Sequence, residues 1–322
     1  MKQIEYCITG ASKWIRTINK LVPSVLMEER LILDHSVGTG DIEVIPIQEG
    51  LNITFINIKL HSEINLVRKS DHANNYFILN FYFSKTEISH KILNKNHLEF
   101  EHCGVLLSSS MTDSESLLPA NLPIRIFNIT FSKEWLQKNV LEDFNDNNEL
   151  HKIFTKNEPI YLFENLDYTF NDTFQSLLSF EKSIGKIWLV ADVLKMLTHF
   201  FNKIQSRPFS IYKSNANSID IKGLLVAKTT IEESWHSVPS NELLAQLAGM
   251  SLSKFKKLFK DVFGESPYQY YLGLKMNKAK ELLIMDEHSV SSVGYILGYS
   301  NLSQFTKAFK KFHGILPKEA NK

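Results

Sequence analysis

Two clusters of lysine and hydroxyl side chains, fifty residues apart, are the part of this sequence whose types and spacing point to a definite chemistry. The first comprises Ser253, Lys254, Lys256, Lys257 and Lys260, and the second Leu302, Ser303, Gln304, Lys307, Lys310 and Lys311. At helical spacing, Ser253, Lys256, Lys257 and Lys260 lie opposite Phe255, Phe259 and Val262. Leu302, Ser303, Thr306, Lys307 and Lys310 lie opposite Phe305, Phe309 and Phe312 in the same way, with Lys311 nearby. The phenylalanine faces would anchor each helix to a core. The opposite faces carry Lys, Ser and Thr without Asp or Glu, which suits a helix entering the negatively charged major groove of DNA. A single face of this kind is equally well read as solvated lysines; two at matched positions favour DNA.

The elements that must hold these faces form a repeat. Leu252–Pro267 (LSKFKKLFKDVFGESP) matches Leu302–Pro317 (LSQFTKAFKKFHGILP) without a gap, with eight of sixteen positions identical. Each copy reads as a helix-turn-helix. Ser240 can cap a short helix at 241–248 that stops at Gly249-Met250; a second helix then runs over about 252–263 to Gly264. In the second copy, 290–297 stops at Gly298-Tyr299. Asn301 is placed to cap a helix over about 302–313, with Gln304 at the capping-box position. The second turn is one residue longer, since Gly249 to Phe259 spans ten positions and Gly298 to Phe309 eleven. Between the copies, Ser266, Pro267 and Gln269 mark the start of a helix reaching about Met285, with Leu272, Met276, Ala279 and Leu283 as its apolar stripe.

The charge balance is consistent with this division. From Ile219 to Lys322 there are 14 Lys and no Arg against 10 Asp plus Glu, a net of +4, whereas the remainder carries 22 basic and 25 acidic residues, a net of −3. A mildly basic third fits a polyanion-binding module attached to something else. Hydrophobic content of 43% and charged content of 22% are ordinary for a globular protein, and 322 residues suffice for two domains. There is no apolar run of about 18 residues to span a membrane and no signal-peptide pattern at the N-terminus. The chain therefore reads as cytoplasmic. Cys7 and Cys103 are too few for a disulfide framework and are not spaced for zinc.

Residues 1–132 read as strands. Phe77, Leu79, Phe81 and Phe83 alternate with Ile78, Asn80 and Tyr82; 98–107 and 124–131 are similar. The alternation at Ile53-Thr54-Phe55 and Ile58-Lys59-Leu60 slips by one, as at a bulge. The spacing predicts an antiparallel sandwich or barrel. Residues 133–150, 167–183 and 186–205 have helical character. In the last, Ile187, Val190, Leu194, Leu197, Phe201 and Ile204 recur as a heptad seam. That seam serves either the domain's own core or a dimer interface. A polar stretch at 206–218 reads as a linker. This gives an α+β chain of two domains: 1–205, with strands in 1–132 and helices in 133–205, and an all-α domain at 219–322.

Catalytic chemistry finds little support. His97 and His102 flank a strand-like segment ending at Cys103, but residues five apart on a strand face opposite ways, which argues against a shared metal. Gly38-Thr39-Gly40-Asp41 is a turn rather than a dinucleotide fingerprint. The reading is non-enzymatic, with no cofactor.

Residues 219–320 resemble the DNA-binding domain of the AraC/XylS family of transcription regulators. Three stretches carry the resemblance: Leu244-Ala245 through Gly249-Met250-Ser251 to Phe255–Lys260 and Phe263–Pro267; Tyr271-Leu272 with Lys275 and Ala279–Leu283; and Gly298-Tyr299 through Ser303-Gln304-Phe305 to Phe309–Phe312, Gly314 and Pro317. The resemblance implies base contacts from Ser253, Lys256 and Lys257 in the first unit and from Leu302, Ser303 and Lys307 in the second. It departs from the family at Lys275 and Lys307, where Arg is usual, and lysine lacks arginine's bidentate fork toward guanine. It further implies a cupin-like N-terminal barrel binding a small-molecule effector, dimerising helices, a double-stranded DNA operator, and an activator that works with RNA polymerase. The alternatives are a constitutive regulator whose N-terminal domain only dimerises, and a catalytic cupin fused to a DNA-binding domain.

Overall fold

A computed structural model describes residues 2–8, 10–71, 76–82, 88–93, 98–101, 104–143, 145, 148–156, 158–164, 166, 168–178, 185–205, 218–234, 237–263, 265–284 and 288–320. Phe83, His97, His102, Cys103, Gly264, Met285 and the linker stretch 206–217 lie outside these. The chain divides into two compact units, Met1–Ile221 and Lys222–Lys322.

The first unit begins β1(Lys2–Tyr6), α1(Ala11–Leu21), β2(Ser24–Met27), β3(Arg30–Leu33), β4(Gly38–Gln48), β5(Leu51–Leu60), β6(Ile64–Arg68), β7(Tyr76–Tyr82) and β8(Ser89–Ile92). It continues through β9(Leu98–Glu101), β10(Val105–Ser109), β11(Ser114–Leu118) and β12(Pro123–Ser132). Then come α2(Lys133–Leu136) with a π-helical turn at Gln137–Leu141, α3(Glu149–Phe154), β13(Tyr161–Glu164), α4(Tyr168–Leu178) and α5(Lys186–Gln205). The strands make a five-stranded sheet, β1-β6-β11-β8-β9, and an eight-stranded one, β13-β10-β7-β12-β5-β4-β3-β2. Among the described residues, the named strands all pair antiparallel except β1 with β6.

Both faces of the larger sheet are covered. Ile53 of β5, Phe77, Leu79 and Phe81 of β7, and Phe127, Ile129 and Phe131 of β12 pack with the helices α2–α5. On the other face, Leu31, Val44, Ile58 and Ile124 share a core with α1 and with Ile4, Ile64 and Leu118 of the smaller sheet. Both faces of β5 are therefore apolar, and that explains the slip in its pattern. Its register against β12 is unbroken from Leu51 to Lys59, and the irregularity lies in β4, between Pro46 and Gln48. The expected bulge in β5 is absent because the buried residues change face along a regular strand.

Other expectations also need correction. Residues 11–21 form a helix within the region read as strands, burying Ala11, Ile15 and Ile18 at i, i+4 and i+7. Residues 98–107 are two strands in different sheets, with Gly104 between them. Residues 133–150 have the expected helical character, in separate pieces: Ser132 Oγ caps α2 through Trp135 N, and Asn148 Oδ1 starts α3 by accepting from Leu150 N at 2.8 Å.

A cavity of about 90 Å³ lies between the two sheets, lined by both and by α1. No helix of the described residues is long and apolar enough to cross a membrane.

The second unit contains the rest of α6(Ser218–Glu233), then α7(Asn241–Leu247), α8(Leu252–Phe263), α9(Pro267–Ile284), α10(Val290–Ile296) and α11(Leu302–His313), closing on a 3-10 turn at Pro317–Glu319. The mixed α and β chain with a C-terminal helical pair agrees with the sequence reading.

Candidate nucleic-acid interface

Each lysine cluster sits on the longer helix of a helix-turn-helix. Ser240 Oγ accepts from Leu243 N at 3.1 Å to start α7, and Ser289 Oγ accepts from Ser292 N at 3.1 Å to start α10. Gly249 and Gly298 then turn the chain with φ of +66° and +75°, a region where a Cβ is strained. Asn301 Oδ1 accepts from Ser303 N at 2.9 Å and Gln304 N at 3.3 Å, fixing the first turn of α11. Gln304 is exposed, and among the described residues it makes no return bond to Asn301; the cap works through Asn301 alone.

The anchoring faces are close to expectation. Phe255, Phe259, Phe305 and Phe309 are fully buried. Phe263 takes the place expected of Val262, its ring 4.6 Å from that of Phe259, because i+4 steps follow the buried face more closely than i+3 here. Phe312 is 42% exposed and lies beside Gly273 of α9.

Of the outward residues, Ser253, Lys254, Lys256, Lys257, Lys260, Ser303, Gln304, Lys307, Lys310 and Lys311 are all exposed. Leu302 is half-buried, and its Cδ2 occupies the space beside Gly294 of α10, only 2.6 Å from where a Cβ would stand. It thus packs the turn of its own unit. Lys256, Lys257, Lys260, Lys307, Lys310 and Lys311 enter no ion pair among the described residues, so their charge is available to a ligand.

α9 carries both units. Ser266 and Gln269 close a reciprocal cap at its start, Gln269 N donating to Ser266 Oγ at 3.3 Å and Ser266 N to Gln269 Oε1 at 3.2 Å. Tyr270, Met276, Ala279 and Leu283 are buried along it. Tyr270 Oη donates to Glu232 at 2.5 Å, and Glu232 also pairs with Lys228 at 2.8 Å, tying α6 to α9. Burial, then the Glu232 charge, hold the Tyr270 phenol well above its usual range. Midway along α9, Lys275 Nζ stands 5.5 Å from the Tyr271 ring and 4.9 Å from the Tyr299 ring, bridging α9 to the turn of the second unit. Met276 O and His313 Nε2, 3.0 Å apart, add a contact to the end of α11.

The heptad seam is divided. Leu197, Phe201 and Ile204 are buried in the first unit's own core, and Val190 and Leu194 are half-buried against it. Ile187 is 75% exposed, beside Trp188 at 62%.

Residues 244–322 match the helix-turn-helix domain family. The HTH-type transcriptional regulator ArgR of Pseudomonas aeruginosa is 29% identical over 98 residues, 30% of this chain and 29% of that protein. The MmsAB operon regulatory protein of the same organism is 32% identical over 100 residues, 31% of this chain and 32% of that one. The chain thus spans about a third of the length of the curated relatives it matches. Among solved structures, an AraC-type transcriptional regulator of Chromobacterium violaceum aligns at 28% identity over 31% of this chain and 88% of its own, with a TM-score of 0.29. With its two helix-turn-helix units on one linker helix, the C-terminal region belongs to the helix-turn-helix domain family and is similar to AraC-type DNA-binding domains.

Proposed function

We propose that the protein is a sequence-specific, DNA-binding transcription regulator that inserts α8 and α11 into adjacent major grooves of an operator. The observation that carries this reading is the pair of matched lysine faces on α8 and α11, joined by one linker helix. At 18 residues, α9 is about 27 Å long, suited to spacing two recognition helices by roughly one 34 Å turn of the duplex. Lys256, Lys257 and Ser253 address one groove, and Lys307 and Ser303 the other. The flanking Lys254, Lys260, Lys310, Lys311 and Gln304 serve phosphates.

The test is operator affinity of the full chain, measured by fluorescence anisotropy across salt concentration. Neutralising about six phosphates would weaken binding by on the order of 10³ between 50 and 200 mM salt. Lys257→Ala with Lys307→Ala should weaken binding and relax base preference, and Lys260→Ala with Lys310→Ala should flatten the log–log salt slope by about 2. Unchanged affinity and slope would remove these helices from the grooves.

The polar groups facing the cavity between the sheets support an effector-responsive regulator over a constitutive one, because a pure scaffold has no need of them, but at about 90 Å³ the space is smaller than the several hundred cubic ångströms of a usual ligand pocket. In the same reading the two-sheet unit is cupin-like, it dimerises through the start of α5, and the DNA-bound form works as an activator with RNA polymerase.

A further inference from the structure

The cavity in the first unit is unusual for a space between two sheets. The inward positions of β5, β7 and β12 should be apolar, yet Thr54, Asn80 and Asn128 stand side by side in register and face it. On the opposing sheet, Arg68 of β6 and Ser114 of β11 are also register partners and also line it.

Arg68 is only 5% exposed. Its Nε donates to Thr112 O at 2.9 Å and its Nη1 to Ser108 Oγ at 2.8 Å, both uncharged acceptors. Among the described residues no carboxylate pairs with it. Asp113 acts on it only at a distance and accepts from Ser70 N at 2.6 Å. A guanidinium has five N–H donors and keeps its charge, so three donors and a full positive charge remain in a low-dielectric site. A buried charge without a counter-ion is strongly disfavoured. Across the cavity, the Oδ1 of Asn128, a side chain of a residue 9% exposed, has no hydrogen-bond partner among the described residues.

We infer that this cavity binds a small organic monocarboxylate, its carboxylate against Arg68 and its remainder between Asn128 and the apolar wall formed by Ile8, Trp14 and Ile126. Three observations select this class. A single arginine matches one negative charge, and His90, the other basic side chain lining the cavity, is kept neutral by burial. A dianion such as phosphate would lack a second cation. The volume of about 90 Å³ corresponds to roughly six to nine water-sized spheres, so the ligand is a molecule of few heavy atoms. Oδ1 of Asn128 is an acceptor, which suits a ligand carrying a hydroxyl or amine donor away from its carboxylate.

This inference rests on the effector reading of the first unit, and the experiment separates the two. The full chain is titrated calorimetrically with butyrate, 4-hydroxybutyrate and benzoate, with the neutral partners butyramide and benzamide, and with inorganic phosphate. The expected result is binding of at least one carboxylate, tighter than its amide by about 30-fold or more. Arg68→Gln should abolish that preference. Should Arg68→Gln fail to fold, Asn128→Leu, which fills the cavity with an apolar group, should weaken the same carboxylate by about 10-fold. Equal affinity for carboxylate and amide, preference for phosphate, or no binding by any compound would overturn the inference. Carboxylate binding that leaves operator affinity unchanged would uphold it and sink the effector reading instead.

Discussion

His90 stands where two effects push an ionisable group the same way. Burial, then the positive charge of Arg68, bring its pKa from 6.5 down to about 3, while its Nδ1 and Ser116 Oγ stand 2.8 Å apart. The native state therefore holds a neutral imidazole where the unfolded chain would bind a proton. Because the folded value is the depressed one, stability is complete above pH 6.5 and drains away as pH falls toward 3. The slope is at most about 1.4 kcal/mol per pH unit. Urea unfolding at pH 7, 6 and 5 should show wild type losing about 1–2 kcal/mol relative to His90→Asn; parallel losses in both proteins would mean that His90 titrates normally. Lys275 meets burial differently. Its ammonium lies over two tyrosine rings, and the loss of hydration there lowers its pKa. Lys275 thus has a structural role that needs charge but not a fork.

The elements of the C-terminal unit were legible because their signals are local. Caps at Ser240, Ser266 and Asn301, turn glycines at 249 and 298, and phenylalanines at fixed spacing each act within a few residues. Asn301 tests this reading of the element. Asn301→Ala should cost about 1 kcal/mol by freeing the N–H groups of Ser303 and Gln304, and Asn301→Asp should cost far less; equal urea midpoints for all three proteins would mean that packing alone starts α11. In the first unit the same reasoning met its limit. A strand such as β5, buried on both faces, has no single polar side for the alternation to report. α1 was hidden because eleven residues with three buried positions give a short signal. Arg68 and Asn128 gave only a faint one, polar residues at inward positions of apolar strands, because the partner strands that enclose them come from distant sequence. The heptad seam of α5 was read correctly as apolar, but spacing does not say what covers it; most of it is spent on the helix's own domain.

At the scale of the whole molecule, the proposed function gives one chain two recognition helices, so dimerisation is a question of avidity rather than of completing a binding site. The surface for it is narrow. Once Leu197, Phe201 and Ile204 are assigned to the core, the apolar groups left outward on α5 are Ile187 and Trp188, with Val190 and Leu194 partly accessible. A second copy of α5 placed there would cover a tryptophan and an isoleucine that water now faces, and aromatic anchors of this kind dominate interface energetics. Ile187→Asp with Trp188→Asp should therefore give a folded monomer by analytical ultracentrifugation, since neither side chain supports the core. The same variant should bind an operator with a single pair of half-sites as wild type does. On DNA carrying two such operators in tandem it should bind about 10²-fold more weakly or worse, because the second contact is no longer intramolecular. A variant that stays dimeric would place the interface elsewhere on the first unit. A monomer that still binds the tandem site at full strength would show that two helix-turn-helix units per chain are sufficient, and that the N-terminal unit acts on DNA binding within its own chain.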